Sequence, residues 1–424
     1  MSVRIENYGL SRTYRNAQLK ELLQVVGFVV IEGPKAVGKT ETAKQIAKKV
    51  VRFDIEPESR ELAKVAPNLL LEGEVPVLLD EWQTVPELWS RIKVEVDTRQ
   101  LPGQFILTGS SIPADDLTRD TGAGRLARLK MRPMTLLETG KSSGGVSLAA
   151  LFAGAQPNSS DPRLSIQDIV NLICSGGWPA YQALSVDSAR TAMKSYISEI
   201  AGIDVQRVSG IQYNKANVLK VLKSLARNVG TKVSDSAIAK DTGTRGNPID
   251  RKIAAGYLES LERVMVTENN PPWTPQLRSR DRVNASSTRY FIDPALAAAA
   301  LGASPTTLLG GQIKYLGFLF ENLAIRDLRV YMQSLGGTVA QYRDESGVEV
   351  DAILELDDNS WAAVEVKLGS NQVEQAASDL LKFREKVDTK ACGEPAFLAV
   401  LTATGPCYIR ADGVLVISLG SLRP

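Results

Sequence analysis

The chain has 424 residues, of which 44% are hydrophobic and 23% are charged, so we expect a soluble globular protein of two to four domains. It contains no histidine, which excludes histidine-based acid–base chemistry and most transition-metal sites. Any metal should be a hard cation held by carboxylates. No apolar run approaches the roughly 18–20 residues that span a bilayer, so we expect no membrane association. The N-terminus also lacks an apolar signal core.

The cysteines indicate the cellular compartment, and the distribution of charge indicates the binding partners. Cys174, Cys392 and Cys407 are far apart and odd in number, which favours reduced thiols in the cytoplasm. The net charge is only +2, but residues 201–295 hold 15 Lys and Arg against 9 Asp and Glu, a net +6. Residues 296–424 carry a net charge of −5. The basic middle is where we expect contacts with a phosphate backbone, unless it is only an uneven solvated surface.

The first part of the chain alternates short apolar strands with helical segments. We predict strands at FVVIEG, VPVLLDE, GQFILTGSS and RLARLKMRPM, and a helix at TETAKQIAKKV. Apolar strands separated by helices predict a parallel sheet with helices on both faces. The loop-like segments KSSGGVS and AGAQPNSSDPRLS mark its edge.

The segment GPKAVGKT satisfies G-x-x-x-x-G-K-[ST] between a strand and a helix, which predicts a phosphate loop for ATP. Backbone N–H groups of the loop and of the helix N-terminus can hold phosphates. Lys39 would neutralise the β- and γ-phosphates, and Thr40 would ligate Mg²⁺. A glycine turn entering a helix is the alternative. The predicted nucleotide-binding residues are Gly33, Pro34, Lys35, Ala36, Val37, Gly38, Lys39, Thr40, Glu41 and Asp80.

Polar residues follow the next two predicted strands. After VLL, Asp80 would hold Mg²⁺ and Glu81 would orient or deprotonate the attacking water, unless the two merely cap a strand end. The following strand ends in TGS, where Thr108 or Ser110 would sense the γ-phosphate. Plain turn residues are the alternative there.

The middle of the chain is predicted to be helical. NVLKVLKSLARNV, SDSAIAKDTG and NPIDRKIAAGYLESLE are three helices, with Ser234 as a cap and Pro248 in a first turn. RVMVTE and TRYFID read as two strands around the wing NNPPWTPQLRSRDRVNASS. Three helices and a two-stranded wing predict a winged helix. Its basic candidates are Arg251 and Lys252 in the third helix and Arg278, Arg280 and Arg282 in the wing.

The last part is predicted as a small α/β domain. The helix IKYLGFLFENLAIRDLRVYM precedes strands VAQYR, EVDAILEL and WAAVEVK, then the helix NQVEQAASDLLKFREKV and strands AFLAVLT and GVLVISL. Asp351, Glu365 and Lys367 fit D-x(n)-E-x-K, a pattern that restriction-endonuclease-like folds use to hold Mg²⁺ or Mn²⁺.

Strand alternation puts Glu365 and Lys367 on one face and Val366 in the core. Glu321 in the preceding helix adds a carboxylate, while Asp351 and Glu365 would bind the metal. Two alternatives remain: the fold without activity, since a region of charge −5 binds DNA poorly, or ordinary edge-strand charges.

The motifs YRNAQLKELL, GPKAVGKTETA, LLDEWQTVPELW, VDTRQLPGQFILTGSS and GAGRLARLKMRPMTLLE occur in this order. Together they resemble AAA-type ATPases of bacteria and archaea that carry a long C-terminal domain of unknown function, over nearly the whole chain. The resemblance implies an arginine that reaches a neighbour's γ-phosphate. Arg125 matches that position, and Arg128 is the second candidate. The alternative is that Arg125 is a surface arginine without this role. An arginine acting in trans implies at least a dimer, and a hexameric ring is one form.

Residue patterns and resemblance together predict an α/β fold: a P-loop ATPase core at 1–140, a helical lid or linker at 141–210, a winged helix at 211–295 and a restriction-endonuclease-like domain at 296–424. The predicted function is ATP hydrolysis coupled to action on branched or duplex DNA. The alternatives are a signalling ATPase that binds proteins and a regulator that binds DNA without cutting it.

Overall fold

A computed structural model describes residues 13–109, 122–157, 162–206, 214–243, 248–275, 286–344 and 346–424. The chain divides into two units. The first comprises Met1–Arg132, Asp204–Gln212 and Arg263–Met265, and the second comprises Pro133–Ile203, Tyr213–Glu262 and Val266–Pro424. The chain thus enters the second unit after Arg132, a few residues before the predicted boundary at 140.

The first unit is built on a five-stranded sheet in the order β2-β3-β4-β1-β5, with every pair parallel. Its elements are α1 (Thr13–Val25), β1 (Phe28–Glu32), α2 (Lys39–Lys44), β2 (Lys49–Arg52), α3 (Pro57–Val65), α4 (Pro67–Leu71), β3 (Val77–Asp80), α5 (Leu88–Arg99), β4 (Phe105–Thr108) and β5 (Leu126–Lys130).

Helices cover both faces of this sheet. Phe28 and Val30 of β1 pack in one apolar cluster with residues of α3, α4 and α5. Their neighbours Val29 and Ile31 pack in a second cluster with residues of α1 and α2. Successive side chains of a strand point to opposite faces, so a strand buried on both sides is apolar throughout. The predicted parallel sheet with helices on both faces is confirmed.

The prediction of one helix over TETAKQIAKKV was wrong for the second half of this segment. Helix α2 ends at Lys44, and Lys49 begins the edge strand β2, which pairs with β3 from Lys49↔Val77 to Arg52↔Asp80. The Lys49 ammonium also donates to the backbone oxygens of Leu69, Leu70 and Glu72. These long-range bonds outweigh the local helical preference of the segment.

The strand order brings the predicted nucleotide-binding segments to one edge of the sheet. Strand β4 lies between β1 and β3, and all three run in the same direction. The loop after β1, Asp80 at the end of β3 and Thr108 at the end of β4 therefore share the carboxyl edge, where ligands bind in open parallel sheets.

The second unit begins with helical segments and ends with a mixed sheet. Its elements are β6 (Val146–Ser147), α6 (Leu148–Phe152), α7 (Ile166–Ser175), α8 (Val186–Glu199), α9 (Lys215–Arg227), α10 (Asp235–Asp241), α11 (Arg251–Arg263), α12 (Pro294–Leu301), α13 (Pro305–Leu309), α14 (Ile313–Ser334), β7 (Thr338–Arg343), β8 (Glu349–Glu355), β9 (Trp361–Lys367), α15 (Val373–Lys386), α16 (Thr389–Cys392), β10 (Leu398–Thr402), β11 (Tyr408–Ile409), β12 (Leu415–Ser418) and β13 (Leu422–Arg423). A π-helical turn, Ile200–Asp204, follows α8.

The mixed sheet has the order β11-β12-β10-β9-β8-β7. Strands β7, β8 and β9 are antiparallel neighbours, whereas β9, β10 and β12 are parallel. Helix α14 packs against β7, β8 and β9, and α15 packs against β9 and β10. The order α14, β7, β8, β9, α15, β10 agrees with the elements predicted from this part of the sequence.

The helices predicted in the middle of the chain are present, with one corrected start. The Ser234 side chain accepts from Ala237 N at the start of α10, as predicted. Helix α11 begins only at Arg251, where the Asp250 carboxylate accepts from Lys252 N at 2.8 Å, so Pro248 precedes the cap instead of lying in the first turn.

The two strands predicted at RVMVTE and TRYFID are reduced to isolated bridges within the described residues. These bridges pair Thr231 with Arg289, Thr267 with Phe291, and Asn270 with Thr288. The wing arginines Arg278, Arg280 and Arg282 lie outside the described residues.

A buried ion cluster joins distant parts of the second unit. The Arg326 guanidinium lies 2.7 Å from both Asp293 and Asp327, and all three side chains are buried. Asp293 also accepts from Ala295 N at the start of α12, and Asp327 accepts from Leu136 N. Burial raises the pKa of Asp327 to about 6 although Arg326 opposes the shift. Such a cluster fixes which segments meet, because an unpaired buried charge is costly.

Among the described helices, none combines the length and apolar character that a membrane span needs. All three cysteines are free thiols, with Cys174 and Cys407 buried.

Candidate functional site

The predicted phosphate loop lies between β1 and α2 in a conformation that requires particular residues. A Cβ at Gly33 would stand 2.4 Å from the backbone oxygen of Met131, so a larger residue would force the backbone apart. Gly38 and Ala36 have φ values of 96° and 58°, in the left-handed region. Ala36 adopts this region without the freedom of glycine, a kind of backbone strain that collects at functional sites. Val37 is fully buried and anchors the loop to the core.

Lys39 bends back over this loop. Its ammonium donates to the backbone oxygens of Gly33 and Pro34, at 2.9 Å each. Burial lowers the pKa of Lys39 to about 8; Glu81 and Asp80 oppose the shift, and Lys35 adds to it. The ammonium is thus a buried cation held by weakly basic carbonyls, and a phosphate would satisfy it better.

Asp80 connects the ends of three strands with the loop. Its Oδ1 accepts from the Thr40 hydroxyl at 2.8 Å and from the Thr108 hydroxyl at 2.5 Å. Arg52 Nε, at the end of β2, lies 3.4 Å from Asp80 Oδ2. The carboxylate is 1% exposed. A hydroxyl beside a carboxylate supplies the oxygen donors that Mg²⁺ prefers, so these residues fit the predicted ion.

Glu81 follows Asp80 in a strained conformation. Its φ is 56°, and its backbone N–H donates to Thr108 O at 2.8 Å, next to β4. The Gln83 side-chain amide donates to its carboxylate. Sequence reasoning missed Arg52, which belongs to no motif, and Gln83, which lies in the motif LLDEWQTVPELW but was given no role there.

The other predicted residues of the first unit lie in different places. Glu41 is in α2 and pairs with Lys44 at 3.0 Å. Arg128 pairs with Glu32 at the loop end of β1. Arg125 lies at the opposite end of the sheet, where its backbone oxygen accepts from Phe28 N and its guanidinium pairs with Asp97 at 2.6 Å.

Ser110 lies outside the described residues. Thr108, the other candidate sensor, is buried and bonded to Asp80.

The predicted acidic residues of the second unit form a cluster. Lys367 Nζ lies 2.5 Å from Glu365 Oε2 and 3.4 Å from Asp351 Oδ2. Asp351 Oδ2 also accepts from Val366 N at 2.8 Å. As predicted from strand alternation, the Val366 side chain is buried.

Glu321 of α14 and Tyr290 complete this cluster. The Tyr290 hydroxyl donates to Glu321 Oε1. Burial, and then the charge of Asp351, raise the pKa of both Glu321 and Glu365. Burial opposes the charge on Lys367, but Asp351 and Glu365 raise its pKa. Tyr290 was not predicted, because no spacing relates it to the acidic motif.

The cluster is not arranged as a metal site. Across the described part of the chain, no group of three or more His, Cys, Asp and Glu side chains is placed to hold a metal ion. The predicted ligands Asp351 and Glu365 share the Lys367 ammonium instead, and this internal cation already neutralises much of their charge. The donor set has the right chemistry for Mg²⁺, but in this structure the Lys367 ammonium pairs with the two carboxylates that would hold the ion.

Three family models match the chain. The first, described as an AAA domain, matches residues 27–140. The other two are domains of unknown function, DUF8612 over residues 166–307 and DUF4143 over residues 316–422.

Two curated relatives are uncharacterized proteins, Rv2008c of Mycobacterium tuberculosis and Mb2031c of Mycobacterium bovis. Each is 23% identical over 360 residues, which are 84% of this chain and 74% of theirs. Among solved structures, the Walker-type ATPase PABY2304 of Pyrococcus abyssi is 15% identical, with a TM-score of 0.43, over 69% of this chain and 96% of that one.

The AAA match covers the phosphate loop and Asp80. The chain therefore carries an AAA-type P-loop ATPase domain, a type that binds nucleotide and typically uses Mg²⁺.

The depressed pKa of Lys39 predicts that nucleotide affinity depends on pH. Phosphates bind the charged ammonium, and with a pKa of about 8 most free protein loses this charge by pH 9. Bound phosphate raises the pKa, so binding above pH 8 must take up a proton, and affinity should fall about tenfold between pH 7 and pH 9. The dissociation constant of a fluorescent ADP at pH 7, 8 and 9 measures this.

The partly exposed Lys44 of α2, replaced in Lys44→Gln, is the matched control and should leave the profile unchanged. An affinity that does not change between pH 7 and pH 9 would contradict the assignment of Lys39 as the phosphate-binding cation.

Proposed function

We propose that the chain hydrolyses ATP at the carboxyl edge of its parallel sheet. The observation that carries this proposal is the contact of one buried carboxylate, Asp80, with the hydroxyls of both Thr40 and Thr108. It joins the phosphate loop to the strand end where the γ-phosphate would lie. Lys39 holds the β- and γ-phosphates, and Thr40 and Asp80 hold Mg²⁺. The ion supplies charge neutralisation at the transferring phosphoryl group.

Glu81 is the proposed water-activating residue. Its position next to Asp80 and its bond to the end of β4 support this role. The Gln83 amide contacts its carboxylate. A hydrogen bond from the neutral amide fixes the orientation of the carboxylate, so Gln83 acts as a positioning residue for Glu81.

Replacing Glu81 should separate binding from turnover. Glu81→Gln keeps the size and hydrogen-bonding capacity of the side chain but removes the base, which contributes about 10²–10⁴-fold in enzymes. We expect ATP affinity within about threefold of the parent and phosphate release reduced by at least about 100-fold. The exposed Glu87, replaced in Glu87→Gln, is the control on the same segment. Hydrolysis by Glu81→Gln at the parent rate would remove Glu81 from the mechanism.

The second part of the proposal is that subunits complete each other's sites through Arg125. Five residues of β1, at about 3.3 Å each, separate the level of Arg125 from the loop, so this arginine is remote from the nucleotide of its own subunit. Arg128, by contrast, is engaged by Glu32 at the loop end. An arginine that is remote from its own site and partly exposed is suited to a neighbour in a head-to-tail ring.

Mixing two inactive variants tests this arrangement. Arg125→Ala keeps an intact loop and Lys39→Ala keeps an intact arginine, so each is inactive alone. In a randomly mixed ring about one interface in four combines both intact parts. We therefore expect about a quarter of the parent ATPase rate. No rescue, in a protein that light scattering finds monomeric at every ATP concentration, would exclude action in trans.

The third part is that the C-terminal regions act on branched or duplex DNA. Arg251, Lys252 and Ile253 are exposed in the first turn of α11, within the segment of net charge +6. Three helices with short antiparallel bridges are compatible with a winged helix, whose third helix enters the major groove. The order α14, β7, β8, β9, α15, β10 likewise supports a restriction-endonuclease-like fold around Asp351, Glu365 and Lys367.

Binding without cleavage is the form of this proposal that the geometry favours. Lys367 contacts both Asp351 and Glu365, and the cluster has no group fitted for a metal among the described residues. We derive no cleavage step from it. Two other functions compete with this one. The first is a signalling ATPase that binds proteins through the same regions, and the second is a metal-dependent nuclease that rearranges when Mg²⁺ or Mn²⁺ binds.

One set of binding reactions distinguishes these functions. For duplex and four-way-junction DNA, Arg251→Glu with Lys252→Glu should lower the log–log salt slope by about 2, at about 0.9 for each lost phosphate contact. Lys382→Glu, on the exposed face of α15, is the control. An unchanged slope and affinity would point to a protein partner. Strand breaks with Mn²⁺ that vanish in Asp351→Asn would establish the nuclease instead.

A further inference from the structure

The phosphate loop contains a second lysine whose partner is far away in the chain. Lys35 Nζ lies 2.5 Å from Asp204 Oδ1, across 169 residues of sequence. The Asp204 side chain is only 9% exposed, whereas that of Lys35 is 42% exposed. Among the described residues, Lys35 is the hydrogen-bonding partner of this buried carboxylate. Asp204 therefore depends on Lys35 much more than Lys35 depends on Asp204.

Lys35 also lies within electrostatic reach of the phosphate position. It precedes Ala36, the residue with left-handed φ, in the middle of the loop. Its charge contributes to the lowered pKa of Lys39, so the two ammonium groups sense each other. An anion bound against Lys39 would attract Lys35 as well. A polyphosphate carries several negative charges and Asp204 carries one, so the nucleotide is the stronger competitor for Lys35.

Asp204 lies at a distinctive point of the chain. It is the last residue of the π-helical turn Ile200–Asp204, which directly follows the 14-residue helix α8. Single π-helical turns inside helices are rare, and those that do occur often lie at functional sites. Asp204 is also where the chain passes from the second unit into the first.

We propose that Asp204 is a nucleotide-displaced latch: it holds Lys35 while the loop is empty, and bound phosphates withdraw Lys35 from it. This rests on the proposed nucleotide binding and adds a regulatory partner to that site. Once Lys35 turns to the phosphates, Asp204 is a buried carboxylate without a counterion. Such a charge must reach water or a new partner. The turn Ile200–Asp204 therefore rearranges, and α8 receives a signal that the loop is occupied.

Reciprocity makes the latch measurable. If nucleotide breaks the Lys35–Asp204 pair, then the pair opposes nucleotide binding by the same free energy. Asp204→Asn keeps the shape of the side chain and removes the competing charge. Coupling between sites is typically 5–150-fold, so we expect Asp204→Asn to bind ADP about tenfold more tightly than the parent. Lys35→Gln breaks the same pair but removes a phosphate-binding cation, so it should bind ADP more weakly.

Hydrogen exchange of the amides of residues 200–206 gives a second readout. In the parent, ADP should accelerate this exchange. In Asp204→Asn and in Lys35→Gln, exchange should already be fast without nucleotide. Asp187→Asn, which breaks the ion pair of the exposed Asp187 with Arg190 on α8, is the matched control and should resemble the parent. Lys39→Ala should retain slow exchange with or without ADP, because it keeps the latch and loses the phosphates.

The latch requires that Asp204→Asn and Lys35→Gln change ADP affinity in opposite directions and accelerate hydrogen exchange in the same way. If both variants weaken ADP binding, or if Asp204→Asn binds as the parent does, the pair is only structural and the latch is excluded. If the parent itself binds no ADP, the proposed function fails, which is a different result.

Discussion

The buried carboxylate of Asp80 is the constraint on which the ATPase unit depends. A charge this deeply buried must be satisfied by hydrogen bonds or counterions, because an isolated one is strongly destabilising. Its partners come from two other strand ends, at Thr108 and Arg52, and from Thr40 directly after the phosphate loop. The same contacts that satisfy the charge therefore assemble the site. The parallel strand order makes this possible, since it brings the carboxyl ends of β1, β3 and β4 to one edge.

The second unit uses buried charge in two different ways. The Arg326 cluster is fully enclosed and connects α14 to the start of α12 and to the segment after Pro133. The cluster of Asp351, Glu365 and Lys367 is only partly enclosed, and Lys367 keeps 26% of its side chain exposed. The first arrangement specifies which segments meet. The second remains partly open to solvent, and Lys367 balances the negative charge of the two carboxylates.

Features governed by short spacing were predictable from the sequence. The phosphate loop, Asp80 with Glu81, and Glu365 with Lys367 follow from residues that are adjacent or two apart on one element, so local geometry alone places them. Helices α14 and α15 and strands β7 to β10 and β12 were predicted for a similar reason, because each has a clear period and turn residues at its ends. The short elements α16 and β11 were not predicted.

Partners supplied by the tertiary fold could not be predicted in this way. Arg52, Tyr290 and Asp204 meet their partners through sheet order or chain crossings that no spacing encodes. Strand β2 was mistaken for helix because Lys49 and Val50 continue a helical pattern until pairing with β3 is known. The expected wing strands have suitable β-branched residues, but only isolated backbone bridges form between their described parts.

The most direct test of the central claim is phosphate release from ATP by the purified protein. It is measured for the parent and for Asp80→Asn, each with Mg²⁺ and with the ion chelated. If Asp80 assembles the site and holds the ion with Thr40, the parent should turn over repeatedly only with Mg²⁺. Asp80→Asn should lose this turnover at every Mg²⁺ concentration. Hydrolysis by the parent without Mg²⁺, or a parent-like rate in Asp80→Asn, would contradict the account.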